Sequence, residues 1–243
     1  MCNLYAMMRS RAEAAALARV FKDWNNNQPP TPGVFPDYAA PVILKEGGQR
    51  VMRDLRWGMP SPTNVQLAAA GKRADKLRAK GKEVDFPALL KAEPDKGVTN
   101  IRNTDSRHWK PYLGPANRCL VPMTSFSEPD QVGGSLKPVW FARSDSRPLG
   151  FFAGAWTPWT GVRKISEGEV TVDIFGFLTT DSMPPVVAFH SKAMPVILTT
   201  PEEWDLWLSD ETWDAVRHLQ RPLPADALKV VATGDRKDEG IPA

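Results

Sequence analysis

Apolar and polar positions change period several times along the chain. Residues 11–22, RAEAAALARVFK, place Ala15, Leu17, Val20 and Phe21 at helical spacing and predict a short helix. NNNQPPTPG at 25–33 is a loop of Asn, Pro and Gly. Over 41–57, PVIL and RVMRDLRW read as two strands joined across Gly47-Gly48. Four later runs, at 117–126, 137–143, 149–159 and 170–180, are aromatic and β-branched, bounded by turn residues, and read as strands. They do not alternate with helices, which argues against a doubly wound parallel sheet. Thr200, Pro201 and Glu203 spell a T-x-x-E helix start, with Trp204, Trp207 and Leu208 on the buried face. A second helix is expected over about 210–220, and a frayed polar tail over about 233–243.

Residues 60–97 differ in character, with six basic residues and one acid across 71–82. They predict a helix followed by a flexible charged loop. This basic segment, at about 63–97, is expected to lie within a single domain spanning 1–243. It deepens an asymmetry that the net charge of +3 hides. Residues 1–120 carry 20 Lys and Arg against 11 Asp and Glu, whereas residues 121–243 carry 11 against 17. A first half of one sign suits a polyanion such as nucleic acid, although such runs also serve as solvated linkers.

No apolar run approaches the roughly 18 residues that span a bilayer, so no membrane partner is expected. The start of the chain lacks the basic region of a signal peptide and is broken by Arg9, Arg11 and Arg19. Two cysteines, Cys2 and Cys119, exclude a disulfide framework and a four-cysteine zinc site. A reducing, cytoplasmic setting follows as the expectation. The three histidines are scattered, so neither a metal nor another cofactor is expected. H-E-x-x-H, P-loop, G-x-S-x-G and G-x-G-x-x-G are absent from the sequence.

Cys2 is the most informative residue. Cysteine is small enough for Met1 to be trimmed, which leaves an α-amine of pKa about 8 beside a thiol of about 8.5. An aldehyde can condense with such an amine, and the neighbouring sulfur can then close on the imine as a thiazolidine. Alternatively, the thiol alone acts as an N-terminal nucleophile on an amide, with its own amine as base. The remaining candidates have ordinary readings beside chemical ones. His190 lies between two apolar runs, Glu128 ends a strand before Pro129, and Asn100 follows Val98 at a turn. His108 and His218 read as surface residues, and Cys119 as a small buried hydrophobe.

Eight segments in order resemble the SRAP family, the SOS response-associated peptidases or abasic-site processing proteins. Met1-Cys2 matches the start of the family's M-C-G-R. DYAAPV (37–42) is similar to Y-N-x-A-P, RWGMPSP (56–62) to R-W-G-x-x-P, and TNIRNTDS (99–106) to N-A-R-x-E-T. RCLVPMTSFSEPD (118–130), FAGAW (152–156), FLTT (177–180) and HSKAMPVIL (190–198) follow the later blocks. The resemblance covers about residues 1–210 and implies a compact α+β fold, a single domain with an antiparallel, barrel-like β core flanked by helices. It also implies a monomeric abasic-site sensor, cytoplasmic and nucleoid-associated when bound. Such a protein attaches its N-terminal cysteine to abasic sites in single-stranded DNA as a thiazolidine, with a peptidase-like self-processing activity.

Carried over residue by residue, Cys2 is the nucleophile, Asn100 positions the terminus and sugar, Glu128 shuttles protons at the amine, and His190 is an acid/base. Arg102 and Lys192 match phosphate-contacting positions, and Thr179 matches a polar position beside the site. Lys72, Arg73, Lys76 and Arg78 of the basic segment are further candidates for phosphate contact. The chain also departs from the pattern: Asn3 and Leu4 stand where the family has Gly and Arg, Lys192 replaces an Arg, and the resemblance makes the basic segment at about 63–97 an insertion. Two other functions fit the composition, an N-terminal-nucleophile cysteine peptidase and a non-catalytic single-stranded DNA-binding module. The latter would use some of the 9 Trp, 10 Phe and 3 Tyr for stacking.

Overall fold

The computed structural model describes residues 2–25 and 29–240. The first half contains β1 (Leu4–Met7), α1 (Arg11–Leu17), β2 (Lys22–Asp23), β3 (Thr31–Val34), β4 (Ala39–Glu46) and β5 (Gln49–Trp57). Two helices, α2 (Thr63–Arg78) and α3 (Phe86–Lys91), precede β6 (Asn100–Ile101), β7 (Arg118–Met123), β8 (Ser125–Pro129) and β9 (Pro138–Ala142). Then come β10 (Gly150–Val162), β11 (Glu169–Thr180), β12 (Met194–Pro195), β13 (Ile197–Leu198), α4 (Pro201–Trp207), α5 (Trp213–Val216) and β14 (Lys229–Thr233).

Five strands close on themselves. β10 pairs with β11 and β7, β7 with β4, and β4 with β5, all antiparallel, and β5 returns to β11 in parallel. A second sheet runs in the order β14-β9-β8-β1-β3. The fold is thus α+β with a barrel-like β core and flanking helices, as the family resemblance implies.

Strand alternation divides the interior. Along β10, Phe152 faces a cluster with Tyr5, Trp57, Phe126, Phe141, Phe175 and Phe177. Its neighbours Phe151, Ala153 and Ala155 face a second cluster with Trp204, Trp207 and Leu208. Trp57 stacks on Phe177 at 5.2 Å between ring centres, and Tyr5 meets both edge-on. These rings are fully buried, and each contributes about 2–3 kcal/mol by leaving water. Gly176 admits the segment that carries the site: a Cβ there would lie 2.9 Å from the Met59 side chain and 3.3 Å from Thr99 O.

Several expectations need correction. The first helix ends at Leu17 rather than 22, because Arg19 adopts a positive φ of 53° and the chain turns into β2. The loop expected after α2 contains α3, whose Asp85 side chain accepts from Ala88 N at 3.1 Å. The tail does not fray over 234–240. Asp238 is buried, receives Ser125 Oγ and Arg147 Nε, and donates its N–H to Pro32 O at 2.9 Å. Residues 241–243 lie outside the described ones. At α4 the Thr200 hydroxyl caps Glu203 N, but the Glu203 carboxylate accepts from Thr199 N at 2.7 Å, one residue earlier than the box requires. Among the described residues no helix is long and apolar enough to cross a membrane.

Candidate functional site

Four distant segments meet beside the start of β1. Leu4 pairs with Ser127, which brings Cys2 alongside the part of β8 that carries Glu128. Asn100 enters from β6, which adds to β11 opposite Phe177. His190 comes from the turn before β12, where its backbone N–H donates to Val186 O and its carbonyl accepts from Ser182 Oγ, each at 2.8 Å. Gln131 N donates to Phe189 O at 2.9 Å and fastens this turn to the chain just past Glu128.

Cys2, Glu128 and His190 are fully buried, and Asn100 nearly so. Asn100 Nδ2 donates to Cys2 O at 2.7 Å and to Thr99 Oγ1 at 2.6 Å. His190 Nδ1 lies 3.1 Å from Ala193 O and 3.8 Å from Glu128 Oε2. A carbonyl only accepts, so Nδ1 carries the proton and Nε2 is the basic nitrogen of the neutral ring.

Burial sets the protonation states. It pushes the Glu128 carboxyl up to about 8. It also raises the Cys2 thiol well above its ordinary value, and the Glu128 charge adds to that rise, which puts the two groups within electrostatic reach. Burial, helped by the Lys192 charge, holds His190 below the usual imidazole range. Near neutral pH the site therefore holds a carboxylic acid, a neutral imidazole and a thiol.

The other candidates fall into two groups. Thr179 is buried in β11, and its hydroxyl has no hydrogen-bond partner among the described residues. Arg102 follows β6, is exposed, and pairs with Asp181 just past β11; Lys192 is exposed two residues after His190. These three emerge at the same end of β11 as the site. Lys72, Arg73, Lys76 and Arg78 do not. They lie on α2, and Arg73 shares a cleft with Val162 and Glu169 at the opposite end of the β10–β11 hairpin. That end is roughly 30 Å along β11 from Thr179 at about 3.3 Å per residue. Two of the four have acidic partners: Arg73 reaches Glu93 at 3.3 Å, and Arg78 reaches Asp75 at 3.2 Å.

Two polar residues at the site escape the sequence reading. Thr99 Oγ1 donates to Asn3 Oδ1 at 2.9 Å while it accepts from Asn100. Asn3 shows in the sequence as a departure from the family's Gly, whereas the only signal for Thr99 is adjacency to Asn100. A cleft of about 360 Å³ opens beside Asn3 and Ser127, with Arg236 over the Phe35 ring at 5.0 Å. Among the described residues no group of three His, Cys, Asp or Glu is placed to hold a metal ion.

Known proteins share both pattern and fold. A family model described as SOS response associated peptidase (SRAP) matches residues 86–236. No match was found among curated proteins. A solved structure of a Bordetella bronchiseptica protein is 21% identical, covers 96% of this chain and 98% of its own, and superposes with a TM-score of 0.64. One from Bacteroides thetaiotaomicron is 20% identical over 94% of this chain and 90% of its own, with a TM-score of 0.64. A phage-related protein from Bordetella bronchiseptica is 19% identical, with coverages of 94% and 92% and a TM-score of 0.60. At these identities the three speak for the fold. The family model spans more than half of the 243 residues, and the chain belongs to the SRAP family, the SOS response-associated peptidases.

Proposed function

We propose that this chain, once Met1 is removed, forms a thiazolidine between Cys2 and abasic sites in single-stranded DNA. Family membership ties it to the SOS response and DNA damage, and the proposal adds the chemistry. One observation carries it. Cys2, Asn100, Glu128 and His190 come from four segments and converge in one buried site, with Asn100 Nδ2 2.7 Å from Cys2 O and His190 Nδ1 3.8 Å from Glu128 Oε2.

The chemistry proceeds in balanced steps. His190 Nε2 takes the hydroxyl proton of the closed sugar and passes it to the ring oxygen as the ring C–O bond breaks. The freed aldehyde accepts the α-amine of Cys2. Glu128, about nine-tenths protonated at pH 7 if its pKa is near 8, donates to the carbinolamine hydroxyl, which leaves as water. The resulting carboxylate then takes the thiol proton while sulfur attacks the imine carbon and closes the five-membered ring. The sum is amine, thiol and aldehyde in, thiazolidine and one water out.

Protonation supports this order over an N-terminal-nucleophile peptidase. A peptidase needs a thiolate first, and burial disfavours the Cys2 thiolate. The adduct route needs the amine first and the thiol second, when Glu128 has just become a base. Phosphate contacts from Arg102 and Lys192 would hold the strand without reading its sequence.

Cys2→Ala keeps an amine and loses the thiol. It should form at most a hydrolysable imine with an abasic single strand, trapped only by borohydride, while wild type forms an adduct that survives denaturation. A stable adduct in the alanine variant rules the proposal out.

A further inference from the structure

The mechanism above leaves Asn3 and Thr99 unused, yet their hydrogen bonds enclose the reacting residue. The Asn100 amide has two N–H bonds on Nδ2. One goes to Cys2 O at 2.7 Å and the other to Thr99 Oγ1 at 2.6 Å. The Thr99 hydroxyl in turn donates to Asn3 Oδ1 at 2.9 Å. A continuous line therefore runs from the Cys2 carbonyl through Asn100 and Thr99 to the side chain of the next residue. The two residues at the start of the described chain are held at two points by two adjacent residues on the barrel.

The anchor itself is firm. Thr99 O accepts from Trp57 Nε1 at 3.2 Å and from Phe177 N at 3.4 Å, and both rings belong to the buried core. The line also has a direction. The Asn3 oxygen can only accept, so Thr99 donates outward and accepts from Asn100. The Cys2 carbonyl, which can only accept, fixes which way round the Asn100 amide sits. Turned over, its oxygen would face the Cys2 carbonyl, acceptor against acceptor. In the observed orientation Asn100 Oδ1 is buried and has no hydrogen-bond partner among the described residues, which leaves one oriented acceptor at the site.

We infer that Thr99 is a positioning residue, whose hydroxyl holds the Asn100 amide and, through Asn3, pins the backbone of Cys2 for reaction. The inference rests on the adduct chemistry proposed above, but its mechanical part does not. Chain starts are loosely held unless tied down, and a glycine at position 3 has no side chain to complete this line. Asn3 stands where the resembling family carries that glycine.

Thr99→Val preserves shape and removes both the donor and the acceptor. The maximal rate of adduct formation at saturating abasic strand should fall about 10-fold, while the half-saturating strand concentration stays within about twofold. Thr99→Ser should restore the rate. Alkylation of Cys2 by iodoacetamide, read by mass, needs no DNA and should move the opposite way, about fivefold faster in Thr99→Val as the pinned segment opens. Cys119, buried in the core, reports any global unfolding. If Thr99→Val exposes Cys119, Asn3→Ala carries the test, because position 3 is exposed and its loss leaves the core intact. Faster Cys2 alkylation in that variant supports the inference, and a wild-type rate overturns it. Wild-type values of both readouts in a folded Thr99→Val, or a serine variant as slow as the valine one, also overturn it. A wild-type protein that never forms the adduct removes the adduct chemistry alone, and the alkylation ratios still decide the positioning role.

Discussion

Replacing Glu128 by glutamine tests the protonation argument at its centre. The carboxyl is fully buried on β8, and burial moves it from 4.5 to about 8. Between those two pH values the folded protein holds a proton that the unfolded chain has released. Stability must therefore fall as pH rises through that window, and level off above it. The gap corresponds to about 5 kcal/mol at 1.36 kcal/mol per pH unit, and water entry around the ionised group reduces this to about 2–5 kcal/mol. That is a large part of the 5–15 kcal/mol typical of a domain. Glutamine has nearly the same shape and does not ionise. Guanidinium unfolding of wild type and Glu128→Gln, followed by tryptophan fluorescence from pH 5 to pH 9, isolates the effect as the difference between the two pH slopes. The variant should match wild type to within about 1 kcal/mol near pH 5 and exceed it by about 2–5 kcal/mol at pH 9. Its adduct formation should nonetheless be slower, because the proton donor is gone. A variant less stable than wild type by the same amount at every pH would show that Glu128 is ionised and paired in the fold. The neutral-acid step would then be wrong.

Further outcomes follow from the same geometry. His190→Ala should slow adduct formation roughly 10- to 1000-fold, most for the ring-closed sugar and least for a small free aldehyde; equal slowing of both would assign it no part in ring opening. In wild type the rate should rise with pH as the amine loses its proton near 8 and fall again as Glu128 ionises at about 8. Glu128→Gln should lose the falling limb. Neutralising Lys72, Lys76 and Arg78 together should flatten the salt dependence of single-strand binding by a slope of about 2. It should leave the adduct rate at saturating strand unchanged, because α2 stands at the far end of the hairpin from Cys2. An unchanged slope would make α2 a solvated surface.

Much of the fold is legible in local chemistry. Gly47 and Gly48 take positive φ at the tip of the β4–β5 hairpin, as a two-residue turn demands. Alternating aromatic runs became β10 and β11, and Thr200-Pro201 opened α4. What escaped had competing or remote causes. Leu17 ends α1 although apolar residues continue, because Val20 and Phe21 lie where the chain turns to run beside β5. Asp85 with Pro87 at the second helical position signals α3, and Ser10 with Glu13 forms a complete capping box, but short elements between charged residues are easily read as loop. The anchoring of Asp238 depends on Arg147 and Ser125, about 90 and 113 positions away, which no local pattern announces. At the site the sequence supplied the candidates through resemblance. Only the fold brings Glu128 within 3.8 Å of His190 and gives Thr99 and Asn3 a place in the hydrogen-bond line.

The central claim is that nitrogen and sulfur of one cysteine both bond to the lesion, and intact mass tests it most directly. The protein, first confirmed to lack Met1, is incubated with an abasic single-stranded oligonucleotide, denatured and weighed beside a variant carrying an uncleavable residue pair ahead of Cys2. Wild type should gain the mass of the oligonucleotide less one water, with the addition mapping to the Cys2 peptide, and the blocked variant should gain nothing. A blocked variant that still cross-links through Cys2, or a wild type that forms no adduct, would contradict the account.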